Sequence, residues 1–294
     1  MSKDYLKFSG HETFICKQLW PKKGFDFLVQ GNQFSNEDSI VKLGVGKNMV
    51  SSIRHWLKAL GLIDANNEAP TEIASLLLSE DNGLDPYLED IGTLWLLHYH
   101  LIKRKYASIY DLVFNELRKE RFEFTKKQLH NFLKRKVLER QPNAYSEETL
   151  NRDIKIFTQN YLSPNLKRGK VNIEEDFVAL FLDLNLLEVS KTEEGVEWYI
   201  IDSKTRPDLP HEIFLYTILD NKEYTNSIVF DDLRVKPNSP GLVFGLSNEG
   251  LYEQIQELLD GYQEINFSKT AGNQVLQIDP SLDKNQILLD YYGK

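Results

Sequence analysis

The chain has 294 residues, 41% apolar and 27% charged, a length that suggests two or three domains and a balance that excludes a wholly disordered chain. Its one cysteine, Cys16, excludes an internal disulfide framework and any zinc site needing two thiolates. The net charge of −9 hides a split: residues 1–102 carry 9 basic against 13 acidic side chains, residues 103–170 carry 17 against 8, and residues 171–294 carry 9 against 23.

A basic middle between acidic flanks often marks a nucleic-acid surface or an acidic-partner surface. The longest strongly apolar run, Leu94 to Ile102, is too short to cross a bilayer. No apolar leader with a small-residue cleavage site stands near the start, so a cytoplasmic protein with no membrane partner is expected. The composition shifts suggest three domains, 1–85, 86–170 and 171–294.

In chain order, Leu19 to Gln30 reads as a helix with Pro21 at its start, where a missing N–H costs little. Asn36 to Leu43 reads as a second helix, capped by Ser35 or Asn36. Gly44-Val45-Gly46 is a tight turn, and Lys47 to Leu60 a third helix stopped by Gly61. Its apolar face holds Met49, Val50, Ile53, Trp56, Leu57 and Leu60; the opposite side carries Lys47, Asn48, Ser51, His55 and Lys58. A small hairpin, Leu62 to Thr71, and a helix to Ser79 follow.

Helix, helix, tight turn, helix, hairpin is the order of a winged helix-turn-helix. In that fold the third helix enters the major groove, and Asn, Ser and Lys side chains can meet bases and phosphates there. Winged helices also serve as protein–protein modules, and this face is only weakly basic.

Pro86 to Lys105 reads as a buried helix ending in Lys103-Arg104-Lys105, cations that suit the negative end of its dipole. Thr125 caps a helix through Val137 that carries Lys134, Arg135 and Lys136. After the loop Gln141 to Tyr145, Ser146 caps a helix to about Leu162, with Leu150, Ile154, Phe157 and Tyr161 on one face. Glu148, Arg152, Lys155 and Gln159 point away. This pair is a second helix-turn-helix candidate, and its basic setting makes it the better DNA reader. The loop beyond adds Lys167, Arg168 and Lys170.

In the last third, Glu174 to Asn185, Leu209 to Leu219 and Ser247 to Asp260 read as helices. Leu186 to Val189 with Val196 to Asp202, and Ile265 to Phe267 with Gln274 to Ile278, read as hairpins. The expected fold is mainly α with small β hairpins, an α+β protein with tandem winged helix-turn-helix units.

Several runs carry a resemblance: Phe8-Ser9-Gly10-His11-Glu12-Thr13-Phe14, Leu43-Gly44-Val45-Gly46-Lys47-Asn48-Met49-Val50, Trp56 and Gly61-Leu62-Ile63. With Leu209-Pro210-His211-Glu212-Ile213 and Ser239-Pro240-Gly241, they resemble the domain-of-unknown-function family numbered four thousand and seven over nearly the whole chain. The resemblance implies a bacterial protein. Many members are encoded beside genes for DNA phosphorothioation, including sulfotransfer proteins resembling phosphoadenosine phosphosulfate reductase. It supplies no established catalytic residues.

Motifs that could carry chemistry have plainer readings. A phosphate-binding loop ending at Gly46-Lys47 needs glycine at position 41 and serine or threonine at 48, where Val41 and Asn48 stand. Ser9, His11 and Glu12 have the types of a nucleophilic site, but neighbours in one loop cannot all converge on a substrate; a loop tying the N-terminus to the core is expected. His98 and His100, two apart on a helix, fall on different faces and suit no shared metal. Asp231-Asp232 after Ile228-Val229-Phe230, with Lys236 beyond, read as the end of a strand and could bind Mg²⁺ as nucleases do. Cys16 reads as packed rather than reactive.

The sequence thus predicts a non-enzymatic DNA-binding protein, without cofactor, of a bacterial DNA-modification or phage-defence system. It would recruit partner enzymes, sulfur-transfer proteins among them, or regulate transcription. A scaffold subunit of a sulfur-modification complex that never touches DNA is the alternative, and a metal-dependent nuclease the weaker one.

Overall fold

The computed structural model describes residues 5–163, 179–270 and 272–293. Lys167, Arg168, Lys170 and the start of the expected helix from Glu174 lie outside the described residues. The chain is mixed α+β, about half helical, with two small antiparallel sheets. Two compact units are built from interleaved segments, Met1–Val113 with Glu123–Ile200 and Phe114–Phe122 with Ile201–Lys294.

In the first unit, α1 (Trp20–Val29), α2 (Ser39–Leu43), α3 (Lys47–Ala59) and α4 (Glu72–Leu78) follow in order. The turn before α3 works because Gly44 takes the left-handed conformation, φ 63°, where a side chain would be strained. α1 and α3 pack closely at Gly24: a Cβ there would stand 2.5 Å from Leu57 and 2.8 Å from Ile53. Next come α5 (Ile91–Arg104), α6 (Ser108–Asp111), α8 (Lys126–Arg140) and α9 (Glu147–Tyr161), with α7 (Arg118–Glu120) belonging to the other unit. Thr125 and Gln128 form a reciprocal capping box on α8, and Ser146 accepts the Thr149 amide at the start of α9. The core of this unit is aromatic: Trp56, Trp95, Tyr99, Tyr110 and Phe157 are fully buried. A short sheet completes it, with order β1 (Glu123–Phe124), β3 (Glu197–Ile200), β2 (Glu188–Lys191).

The second unit contains α7, α10 (His211–Asp220), α11 (Phe230–Val235), α12 (Pro240–Val243), α13 (Asn248–Gly261) and α14 (Lys284–Tyr291). Its sheet has the order β4 (Ser227–Val229), β6 (Asn273–Ile278), β5 (Ile265–Thr270). Phe230 stacks on Tyr252 at 4.5 Å and lies 6.3 Å from the tilted ring of Phe267 on this sheet. Arg118 is the unusual feature. It donates to the carbonyls of Gly241 and Leu242 and to Ser203 Oγ. Burial, then the neighbouring Arg206, pull its pKa down to about 10, against the opposing pull of Asp202.

The expected helix from Glu174 to Asn185 is not continuous: its described end holds only a short 3-10 turn, Leu182–Leu184. Four other expectations need correction. α2 is shorter than predicted and neither Ser35 nor Asn36 caps it: Asn36 to Ser39 is a turn closed by the Ser39 amide on the Asn36 carbonyl, 3.1 Å. α5 starts at Ile91, because the Asp85 carboxylate holds the Glu89 and Asp90 amides in a turn and Leu88 has φ 56°. The expected hairpin after α3 contracts to a single bridge, Ile63 to Pro70; Pro70 has no N–H to extend a ladder, and the Asp64 carboxylate ties the Asn66 and Asn67 amides into the turn. Asp231 and Asp232 do not end a strand but open α11.

Candidate nucleic-acid interface

The outward face of α3 is only partly as predicted. Lys47, Asn48 and Ser51 are exposed and Trp56 is fully buried, so the helix register holds. Lys58 is tied down: its ammonium is 2.6 Å from Glu68 and donates to the Ala65 carbonyl at 3.0 Å. Arg54 shares the same Glu68 carboxylate.

His55 contradicts the expectation outright. It is 7% exposed, because the N-terminal segment, distant in sequence, lies across it. Gly10, with φ 91°, fits there only for want of a side chain: a Cβ would stand 2.6 Å from His55 Nδ1. Burial, then the neighbouring His11, Lys7 and Lys58, lower the His55 pKa to about 3, so the ring is neutral at physiological pH. His55 Nε2 is buried without a hydrogen-bond partner among the described residues.

The basic helices are presented differently. Lys134 and Arg135 are exposed on α8 and Lys136 is half-buried. Consecutive helical residues turn by about 100° each, so these three fan over a wide arc rather than facing one way. Lys134 lies 5.0 Å over the Tyr145 ring, while Arg135 and Lys136 lie against Phe132 at 5.4 and 5.3 Å. On α9, Lys155 is exposed and Arg152 is held by Glu148 at 2.7 Å. The predicted apolar stripe of Leu150, Ile154, Phe157 and Tyr161 is buried.

The Phe8–Phe14 segment braces α3 and α9 together. Asp153 Oδ1 accepts the Ser9 amide at 2.8 Å and lies 3.2 Å from His11 Nε2. His11 Nδ1 accepts the Thr13 amide at 3.2 Å, which leaves the Nε2 proton for Asp153. The Trp56 indole donates to the Phe14 carbonyl at 3.2 Å, and His11 stacks over Trp56. Ser9, Glu12 and Thr13 all have positive φ without being glycine, a cost the surrounding bonds must offset. The tie to the core therefore runs through His11, while Glu12 is exposed. Beyond it, Cys16 donates its amide to Asn160, whose side chain reaches the Tyr110 hydroxyl.

Asp153 escaped the sequence reading, and a signal was there. It lies on the same helical face as Leu150, Ile154 and Phe157, and a carboxylate on an apolar stripe needs partners. Between this segment, His55, Tyr106 and the facing ends of α8 and α9 lies a cavity of about 290 Å³.

The other candidates are structural. His98 is fully buried and its Nδ1 meets the Tyr161 hydroxyl at 2.9 Å. Cys16 is fully buried, which pushes its thiol pKa well up. Asp231 pairs with Arg234 at 3.0 Å and Asp232 with Lys236 at 2.8 Å, so each acid is held by its own cation. Among the described residues no three His, Cys, Asp or Glu side chains are grouped to hold a metal ion, and no helix is long and apolar enough to cross a membrane.

Fold and surface together define a mixed α+β protein with a basic pair of capped helices in its first unit. The chain belongs to the family described as "Protein of unknown function (DUF4007)", whose model matches residues 8–292. Two solved structures are similar over 98% of this chain and 88% of their own. One, "Magnesium ion-bound SspB crystal structure", is 29% identical with a TM-score of 0.84; the other, "SspB crystal structure", is 30% identical with a TM-score of 0.83. No curated protein matches significantly.

Proposed function

We propose that the protein binds double-stranded DNA, as a component of a bacterial DNA-modification or phage-defence system linked to phosphorothioation. It recruits partner enzymes, sulfur-transfer proteins among them, or regulates transcription, and is not itself the catalyst. The carrying observation is that the basic excess of residues 103–170 includes Lys134, Arg135 and Lys155, exposed on two firmly capped helices. Cations on rigid helices suit phosphate contacts, which dominate affinity for DNA.

On this reading α1 to α3 are a winged helix-turn-helix whose wing is reduced to the Ile63–Pro70 bridge. Lys47, Asn48 and Ser51 lie at the groove-facing start of its third helix. α8 and α9 are the second reading head.

The test is a gel shift with phosphorothioated and plain duplexes at two salt concentrations. With about five phosphate contacts, log affinity falls with log salt at a slope of roughly −4 to −5. A salt-independent or absent shift sinks the reading.

One observation favours a second reading, a magnesium-dependent nuclease: a structure this similar is described as magnesium ion-bound. Asp231 and Asp232 are poor ligands for it here, each already paired. Supercoiled plasmid incubated with the protein and Mg²⁺ stays intact on the first reading. Nicking or cutting that tracks the protein through purification promotes the second.

A further inference from the structure

The cavity beside the Phe8–Phe14 segment has features that phosphate contacts on an outer surface do not require. Its volume of about 290 Å³ is close to the lower end for pockets that hold small organic ligands. Its wall includes the half-buried ring of Tyr106 and the neutral imidazole of His55, whose buried Nε2 has no hydrogen-bond partner among the described residues. These two rings stand 5.4 Å apart. At its edge Lys7 is exposed, with the ammonium 4.3 Å over the Tyr106 ring. Ser146 and Thr149 bring the positive end of α9 to the same space.

Aromatic surface and a cation beside a helix start match the parts of one nucleotide. Bases stack on aromatic rings and hydrogen-bond through their edges, and the phosphate seeks cations and helix N-termini. We propose that this cavity receives a single deoxynucleotide, its base against Tyr106 and His55 and its phosphate toward Lys7 and the start of α9. The proposal rests on the DNA-binding reading for the source of that nucleotide, a unit swung out of a strand. A free mononucleotide is the other source.

The full-length protein is titrated calorimetrically with the four deoxynucleoside 5′-monophosphates and with inorganic phosphate. In parallel, 2-aminopurine is stepped through a duplex whose binding is followed by gel shift. We expect at least one mononucleotide to bind tenfold or more tightly than inorganic phosphate, or 2-aminopurine to brighten at one position of the bound duplex. Tyr106→Ala should weaken the first about tenfold and abolish the second, and Tyr106→Phe should restore both. Tyr106 is half-buried, and Tyr106→Phe keeps the test open if Tyr106→Ala fails to fold.

Mononucleotide binding without duplex binding upholds the cavity and overturns the DNA reading. Brightening without mononucleotide binding assigns the cavity to a strand nucleotide, and the reverse assigns it to a free one. A duplex bound with neither signal overturns the cavity proposal and leaves the DNA reading standing. Loss of all binding overturns both.

Discussion

On α3 and on the α8–α9 pair, polar side chains of similar type meet different surroundings. The α3 face loses His55 to the N-terminal segment and Lys58 to Glu68, leaving Lys47, Asn48 and Ser51 near one end. α8 and α9 keep Lys134, Arg135 and Lys155 exposed. The difference teaches that a residue's availability depends on what the rest of the chain lays over it. A helical wheel describes one helix, whereas burial of His55 depends on residues some 45 positions away.

The largest effect expected is on the inner side of α3. Trp56→Ala should cost about 3–5 kcal/mol in denaturant unfolding, because a fully buried indole leaves a cavity and an unpaired Phe14 carbonyl. A loss below about 1 kcal/mol would show that α3 is not the anchor of its unit.

Next comes the contrast itself. Replacing Lys134, Arg135 and Lys136 together by Glu should weaken binding to every duplex alike and flatten the salt slope by about two, since the three do not face one way, while Lys47→Glu should change the slope by about one. Equal losses from the two would erase the distinction between the helices. Unchanged affinity in the triple variant would remove α8 from the interface.

A third effect is pH-dependent. His55 in the folded protein titrates near 3, well below its ordinary value of 6.5. Below pH 6.5 the unfolded chain therefore takes up a proton that the folded one refuses. Stability falls as pH drops through that window, by up to ~1.4 kcal/mol per unit, and levels off below the folded value. His55→Gln should flatten this acid limb in urea melts at pH 7, 6 and 5; an unaltered slope would mean that His55 is solvated.

The smallest effect is expected at Ser51→Ala, under about 0.5 kcal/mol in stability, since the side chain is exposed. A larger loss would mean that a partner segment covers that face too.

Much was legible from local rules. The third helix and its register, the Thr125 and Ser146 caps, the apolar stripe of α9 and the two C-terminal hairpins follow from periodicity and capping, which involve residues a few positions apart. The outward direction of Lys155 followed from the same periodicity, whereas the exposure of Lys134 and Arg135 was visible only in the folded chain. Misreadings came where a short-range competitor was overlooked: the Asp85 carboxylate that delays α5, Pro70 in the expected wing, and the helix that Asp231 and Asp232 open.

His11 and Asp153 are 142 positions apart, and their pairing joins the N-terminal segment to α9. The sequence alone supplied grounds to expect His11 in a loop that ties the N-terminus to the core, and it held, unread, the signal of Asp153 at helical spacing from an apolar stripe. Tertiary structure decided that one satisfies the other, that His55 ends up neutral beneath Gly10, and that a cavity opens beside them. Periodicity assigns a face within one element. Which faces meet depends on packing between elements, where a buried charge or ring nitrogen is satisfied or left wanting by groups that sequence distance does not reveal.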